Sequence, residues 1–476
     1  MMPLKRTVWI PCAATLAMTL AGCATVDINQ SLGRANADTA LFTQGKLALS
    51  QSDTERDASK RAADELLGKP LSQEDAVRLA LINSPSMQAL LAQHWADSAD
   101  AAQSGRINNP LLTLERLRSP AEIEISRMLA VGLLDLLTLP QRNRIAQSRV
   151  EQTQLQLTGS VIETITQVRQ AWVNAVASAQ SQQYAKQVNE SAEASAELAR
   201  RMLVVGNFSK LQRARQQAFY ADAVVLWANA SQTATAHREA LVRLLGLTDE
   251  QAARLQLPAR LSELPDAPRT PDEVTAAASS ARLDVKMALA SLNAITSAQG
   301  INLVDSVTDI ELSLVRNSKT DRIDGKKSDL RGVEVALRLP LFDWGDLRRD
   351  GSRARALAAA NRLEATVRAA GSTLRDSYAA YRTSYDVAKH FRDEIVPLRK
   401  LIADENVLRY NGMLIGVFEL LADSRDQIAS VSAAINAQKQ FWLADAALQA
   451  TVVGKPTMMP MWGTTPAMSG GGDAQH

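Results

Sequence analysis

Between Phe342 and Val453 the apolar residues keep helical spacing over an unusual length. Leu374, Tyr378, Tyr381, Tyr385, Ala388, Phe391, Ile395, Leu398 and Ile402 follow steps of three and four, the seam of a helix buried along a partner. The stretch runs about 65 residues with Pro397 as its strong stop, a rod of roughly 100 Å at ~1.5 Å per residue. Arg409-Tyr-Asn-Gly-Met-Leu-Ile-Gly416 interrupts it. Val417, Leu421, Ser424, Ile428, Val431, Ile435 and Trp442 then carry the same spacing back. The pattern predicts a helical hairpin with a glycine-bearing tip, longer than the helices of an ordinary globular domain.

Upstream, Ser72-Gln-Glu-Asp75 reads as a capping box opening a helix through Val77, Leu81, Leu90, Leu91 and Trp95, fading near Gly105. The period then drops to two. Leu112 and Leu114 alternate with Thr113 and Glu115, Arg118-Ser-Pro120 turns, and Ile123 and Ile125 alternate with Glu124 and Ser126, which predicts a strand pair. Leu139-Pro140 is expected to end the pair, before a long helix through Val150, Leu157, Val161, Ile165, Val168, Trp172 and Val176. Val205-Gly206-Asn207-Phe208-Ser209 breaks that helix, and a second runs from Lys210 to about Leu245. Leu247–Arg269 reads as a proline-containing linker. Thr270-Pro-Asp-Glu273, another capping box, restarts the order. Ile310, Leu312 and Leu314 alternate with polar neighbours, a long charged loop is expected from Arg316 to Arg331, and Val333, Val335, Leu337 and Leu339 alternate again. Leu339-Pro340 matches Leu139-Pro140, and the tip Met413–Phe418 matches Gly206–Leu211. The order occurs twice, roughly 200 residues apart, as in an internal duplication.

Composition narrows the class. The 476 residues carry a formal net charge of +2, which argues for no nucleic-acid partner, and only 4% are aromatic. Mean hydropathy is -0.13, so most of the surface meets water. Residues 1–22 read as a lipoprotein signal peptide: Lys5 and Arg6, an apolar run from Val8 to Leu20, and Leu20-Ala21-Gly22 before Cys23, the expected site of diacylglycerol attachment. Cys12 leaves with the signal, so Cys23 is lipid-capped and no disulfide forms. Beyond the signal no run of eighteen apolar residues occurs, so a membrane would be crossed by strands of a closed barrel. The organisation expected is a tether at 23–70, a first repeat at 71–246, a linker at 247–269, a second repeat at 270–453 and a Met/Gly-containing tail at 454–476, with strand pairs at 111–131 and 307–339.

Four short strands cannot close a sheet. Their apolar faces can pack on the protein's own helices, or several chains can pool strands into one barrel; the narrow helical seams favour the second. At this point the chain resembles the TolC-type outer-membrane efflux proteins. The resemblance rests on the element order, the lipobox, Leu-Pro-Leu-Phe-Asp-Trp-Gly before the last long helix, and the two tips, and it covers about Leu71 to Val453. It implies a mainly α fold with a small β part: a homotrimer whose twelve-stranded β-barrel lies in the outer membrane and continues into a periplasmic α-barrel. It also implies a periplasmic adaptor and an inner-membrane pump as partners; the cargo is not readable from the sequence, which leaves drugs, metal ions and secreted polypeptides open. A type I polypeptide-secretion duct and a non-conducting periplasmic coiled-coil scaffold are the alternatives.

No catalytic constellation and no cofactor is expected beyond the lipid on Cys23. The four His, at 94, 237, 390 and 476, lie at no ligand spacing. Met458, Met459, Met461 and Met468 in the tail have thioethers that suit Cu(I), but no metal site is assigned. The resemblance places an apolar ring and a carboxylate ring inside the second tip, at positions matching Ile415 and Glu419; the plainer reading is a packed turn residue and a helix-start charge. A second acid common in the family is replaced here by Ala422, beside Asp423. Gly206, Asn207, Phe208 and Ser209, with Gly412, Met413, Leu414, Gly416 and Val417, are the expected adaptor-docking tips. Their glycines are expected to supply positive φ, and their apolar groups a docking surface.

Overall fold

The computed structural model describes residues 27–43, 45–279, 282–307, 310–339 and 341–456, so Cys23 and the Met-containing tail lie outside the described residues. Among the described residues the protein is mainly helical, with one antiparallel four-stranded sheet. In chain order come α1 (Ile28–Thr43), α2 (Asp53–Leu66), α3 (Gln73–Asn83), α4 (Pro85–Gln103), β1 (Leu111–Arg118), β2 (Glu122–Gly132), α5 (Leu133–Val204) and α6 (Lys210–Leu245). Then follow α7 (Asp249–Arg254), α8 (Pro271–Ser279), α9 (Leu283–Val307), β3 (Ile310–Asp321), β4 (Lys327–Leu337), α10 (Asp346–His390), a π turn at Phe391–Ile395, α11 (Val396–Asn411) and α12 (Val417–Val452). None of the described helices is long and apolar enough to cross a membrane.

The chain divides into two compact units. One holds the described residues up to Ala37 with Leu90–Thr158 and Asp284–Arg368, and contains the sheet. Its strands lie in sequence order, β1-β2-β3-β4, so β1 and β4 are both edges. Leu112 faces Leu129, which faces Leu314, which faces Val333, and the alternation of the strands therefore builds one apolar band across all four.

The other unit holds Asp38–Ala89, Gly159–Leu283 and the chain from Ala369 onward. Its core is the expected tyrosine seam. Tyr381 and Tyr385 are fully buried against Phe441 of α12, with ring centroids 5.6 and 5.7 Å away. The buried hydroxyls need partners and find them in the 247–269 segment. Tyr385 donates to the carbonyls of Pro265 and Asp266, each at 3.0 Å, and Tyr381 accepts from the Arg269 amide at 3.2 Å. That linker is thus pinned to the hairpin, and it also holds α7 and buried Leu255, Leu261 and Leu264. Gly246 ends α6 at φ +65, where a Cβ would lie 2.3 Å from Pro85 Cδ.

Several local expectations give way. The described part of the tether, from Asp27 to Pro70, is largely helical: Ile28, Leu32, Ala35, Thr39 and Phe42 are buried on one face of α1, and Ser52 and Glu55 form a reciprocal capping box on α2. Arg169 lies over the Phe42 ring at 4.5 Å and donates to its carbonyl. Leu139-Pro140 does not end the strands, because α5 starts at Leu133 and takes Pro140 in its second turn. Leu339, by contrast, follows β4 outside any helix, and Pro340 lies outside the described residues. The charged loop from Arg316 to Arg331 is mostly strand: β3 runs to Asp321 and β4 starts at Lys327, because charged side chains on an exposed face do not oppose pairing. At Ser72 only half of a capping box forms. The Asp75 amide donates to Ser72 Oγ at 3.1 Å, but the shorter Asp75 carboxylate is held by Lys69 at 3.0 Å instead of returning to the cap. Thr270 and Glu273 form the full box.

Candidate functional sites: a two-faced sheet and two helix tips

Alternation gives the sheet two chemically distinct faces. One carries Leu112, Leu114, Leu129, Leu312, Leu314, Val333, Val335 and Leu337, all exposed. The other carries Thr113, Glu115, Glu124, Ser126, Asn317, Lys319 and Glu334, joined by a Ser126–Asn317 hydrogen bond of 2.8 Å and a Lys319–Glu124 ion pair of 3.4 Å. An exposed aliphatic face of this extent on a water-soluble sheet is an anomaly, and on a lipid-contacting sheet it is a requirement. Phe342 is 98% exposed and Trp344 63% exposed just beyond β4. An amphipathic ring such as that of Trp344 suits a membrane–water boundary.

The first tip joins α5 to α6. Gly206, at φ +81, supplies the left-handed residue after α5, and the Asn207 amide closes back on the Met202 carbonyl at 2.9 Å. Ser209 caps α6 in a reciprocal box with Gln212. Asn207 and Ser209 are exposed, whereas Phe208 is half-buried. The exposed apolar groups here are Val204, Val205 and Leu211, flanking the positions expected to dock. Lower down α5, Glu197 takes hydrogen bonds from Arg200 and Arg201, which hold its carboxyl down at about 2.

The second tip joins α11 to α12 by the same closure with a different residue. Leu414 N–H bonds the Arg409 carbonyl at 2.8 Å and Met413 N–H the Tyr410 carbonyl at 2.9 Å. The left-handed residue is Met413, at φ +59; Gly412 and Gly416 have φ -80 and -82. The expectation that the tip glycines supply positive φ is therefore met at Gly206 and not at Gly412 or Gly416, because the closing bonds select Met413. Met413 and Leu414 are 93% and 74% exposed. Ile415 is half-buried, and Glu419 is exposed in the first turn of α12, where a carboxylate suits the helix dipole. The Val417 side chain lies outside the described residues.

Below this tip, α11 and α12 are cross-linked by an Arg399–Asp426 ion pair of 2.9 Å and an Asn406–Asp423 hydrogen bond. Asp423 is the acid next to Ala422. Arg425 lies 4.5 Å over the Phe219 ring of α6, beside a groove of 870 Å³ that Val387, Phe391 and Ile428 also line. Neither Phe219 nor Arg425 stood out in the sequence, since a contact between distant helices leaves no local spacing. The π turn does have a sequence signal: Pro397 has no N–H to give the Asp393 carbonyl, and Val396 N–H bonds Phe391 instead. Among the described residues no cluster of His, Cys, Asp or Glu could hold a metal ion.

Residues 275–402 match the family model described as outer membrane efflux protein. No curated protein matches the chain. Among solved structures, a membrane protein from Pseudomonas aeruginosa aligns at 20% identity and TM-score 0.65, over 84% of this chain and 94% of its own. The outer membrane protein VceC of Vibrio cholerae aligns at 16% identity and TM-score 0.66, over 81% and 96%. The outer membrane channel CmeC of Campylobacter jejuni aligns at 14% identity and TM-score 0.65, over 88% and 91%. The fold is shared with these membrane proteins, long helices and few strands included.

Proposed function

We propose that the molecule is the outer-membrane duct of a tripartite efflux system, acting as a homotrimer; the match of residues 275–402 to the outer membrane efflux protein model and the shared fold support the reading. That family is one of channels rather than enzymes.

One observation carries the reading: an open sheet with an exposed aliphatic face and two unpaired edges, β1 and β4. Lipid offers no partner to bare ladder groups, so a spanning sheet must close, and four strands are too few to do so. Three copies of four strands give a twelve-stranded barrel, aliphatic face to lipid and polar face to a wet lumen.

In this reading the helical part continues the duct across the periplasm. The tips, at Gly206–Ser209 and Gly412–Val417, dock a periplasmic adaptor that joins the duct to an inner-membrane pump. Three-fold symmetry turns Ile415 into an apolar ring that closes by excluding water, and Glu419 into a carboxylate ring that favours cations. The lipid on Cys23 anchors each copy. Drugs or metal ions are the cargo, selected by the pump because a wide aqueous duct selects little.

Full-length lipidated protein, extracted in mild detergent, should be trimeric and should give discrete conductance steps in planar bilayers. Ile415→Ala should raise the open probability, and Glu419→Gln should lower the preference for cations. A strictly monomeric, silent protein would overturn the reading in favour of the scaffold.

A further inference from the structure

The charges on the sheet are sorted by face. On the aliphatic face the strands carry Arg116, Arg118, Arg127, Arg316, Lys327 and Arg331, and a single acid, Asp329. On the polar face they carry Glu115, Glu122, Glu124, Glu311, Asp321 and Glu334, and a single base, Lys319. A random surface would mix the signs.

The cations also share a level. Arg127 lies directly opposite Arg316, and Arg316 directly opposite Arg331, so three guanidiniums stand abreast on adjacent strands. All three are exposed. Neighbouring strands lie ~4.8 Å apart, and like charges directly opposite one another are destabilising. Asp329, 2.9 Å from Arg316, offsets one charge. The row shares its level with Leu114 of β1, at the hairpin-turn side of the aliphatic band: the next level toward the helices is Leu112, Leu129, Leu314 and Val333. Arg116, Arg118 and Lys327 extend the positive surface toward the turns.

We propose that this arginine row is a binding site for the phosphates of a multiply phosphorylated glycolipid headgroup in the outer leaflet. The acyl chains would lie on the aliphatic band and the phosphates would bridge Arg127, Arg316 and Arg331. Arginine is suited to this because its planar fork pairs two donors with one phosphate, and an anion between neighbouring guanidiniums removes their repulsion. A headgroup with two phosphates spans adjacent arginines in a way that a single phosphodiester cannot. The proposal rests on the sheet being the lipid-spanning part of the duct.

The test uses the detergent-purified full-length protein, with binding of bisphosphorylated lipid A read by native mass spectrometry. Dephosphorylated lipid A and phosphatidylglycerol serve as comparisons. The wild type should bind the bisphosphorylated form, and loss of the phosphates should weaken binding roughly tenfold or more. Arg127→Gln with Arg331→Gln should produce the same loss, whereas Glu115→Gln with Glu124→Gln on the opposite face should not. Arg127→Lys with Arg331→Lys keeps the charge without the fork and should fall between. Equal binding with and without phosphates, or equally tight phosphatidylglycerol, would overturn the proposal even if the arginine variants failed to assemble. Conductance retained without lipid selectivity would defeat this inference alone; loss of both conductance and trimer would defeat the duct reading beneath it.

Discussion

Met413 holds the left-handed position at the second tip, where Gly206 serves at the first. An L residue with a long side chain pays on the order of 1–2 kcal/mol there. Met413→Gly should therefore stabilise the hairpin by up to about 1 kcal/mol, part of the relief being offset by added chain entropy, and raise the thermal midpoint. The same change removes the most exposed apolar group among the described residues of the tip, so adaptor affinity should fall while stability rises. A fall in both would point to a structural role for that side chain. Asp445 tests a second residue. Burial pushes its carboxyl up, against the pull of Arg269 at 3.4 Å and a hydrogen bond from Gln449. A carboxyl whose folded pKa is raised binds its proton more tightly in the folded state, so its contribution is present at low pH and lost as pH rises through that folded value. The melting temperature of the wild type minus that of Asp445→Asn should accordingly decline as pH climbs above the ordinary carboxylate range; a rising difference would refute the assignment.

At the scale of elements, Pro397 and the π turn before it form one device. Pro397→Ala restores an amide to the ladder and lets residues 391–395 return to α geometry, which should stabilise the helix by at most about 3 kcal/mol. If the irregular turn serves the opening of the duct, that more stable variant should also conduct less often in bilayers. The tyrosine seam was legible because Tyr378, Tyr381 and Tyr385 repeat at helical spacing, and the strands because their period is two. α1 does not read as a helix: Ile28, Leu32, Ala35, Thr39 and Phe42 do step by four and three, but small and polar neighbours disguise that stripe and the segment reads as a tether. The start of α5 was not legible either, since a proline in a helix's second turn and a proline at a strand's end read alike. Met413 was hidden for a similar reason: composition points to the two flanking glycines, whereas the choice belongs to which carbonyls the amides close upon. The arginine row was invisible, because placing Arg127 beside Arg316 requires the register of strands nearly two hundred residues apart.

At the scale of the whole molecule, the two faces of the sheet should respond differently to the same charge. Leu314→Lys on the aliphatic face should cost about 2–4 kcal/mol in bilayer assembly, whereas Thr113→Lys on the polar face should be nearly neutral and shift ion selectivity. The fraction of trimer surviving a urea titration in lipid measures the first, and reversal potentials the second. Equal penalties on both faces would mean the sheet does not sit between lipid and water. The bare outer edges of β1 and β4 also make a lone copy an unfinished object, whose ladder can be completed as readily by a stray strand as by its proper neighbour. Its durability is then a matter of abundance: dilution erodes it by mass action, and scarcity in the cell would expose each newcomer to proteases and clumping before companions arrive.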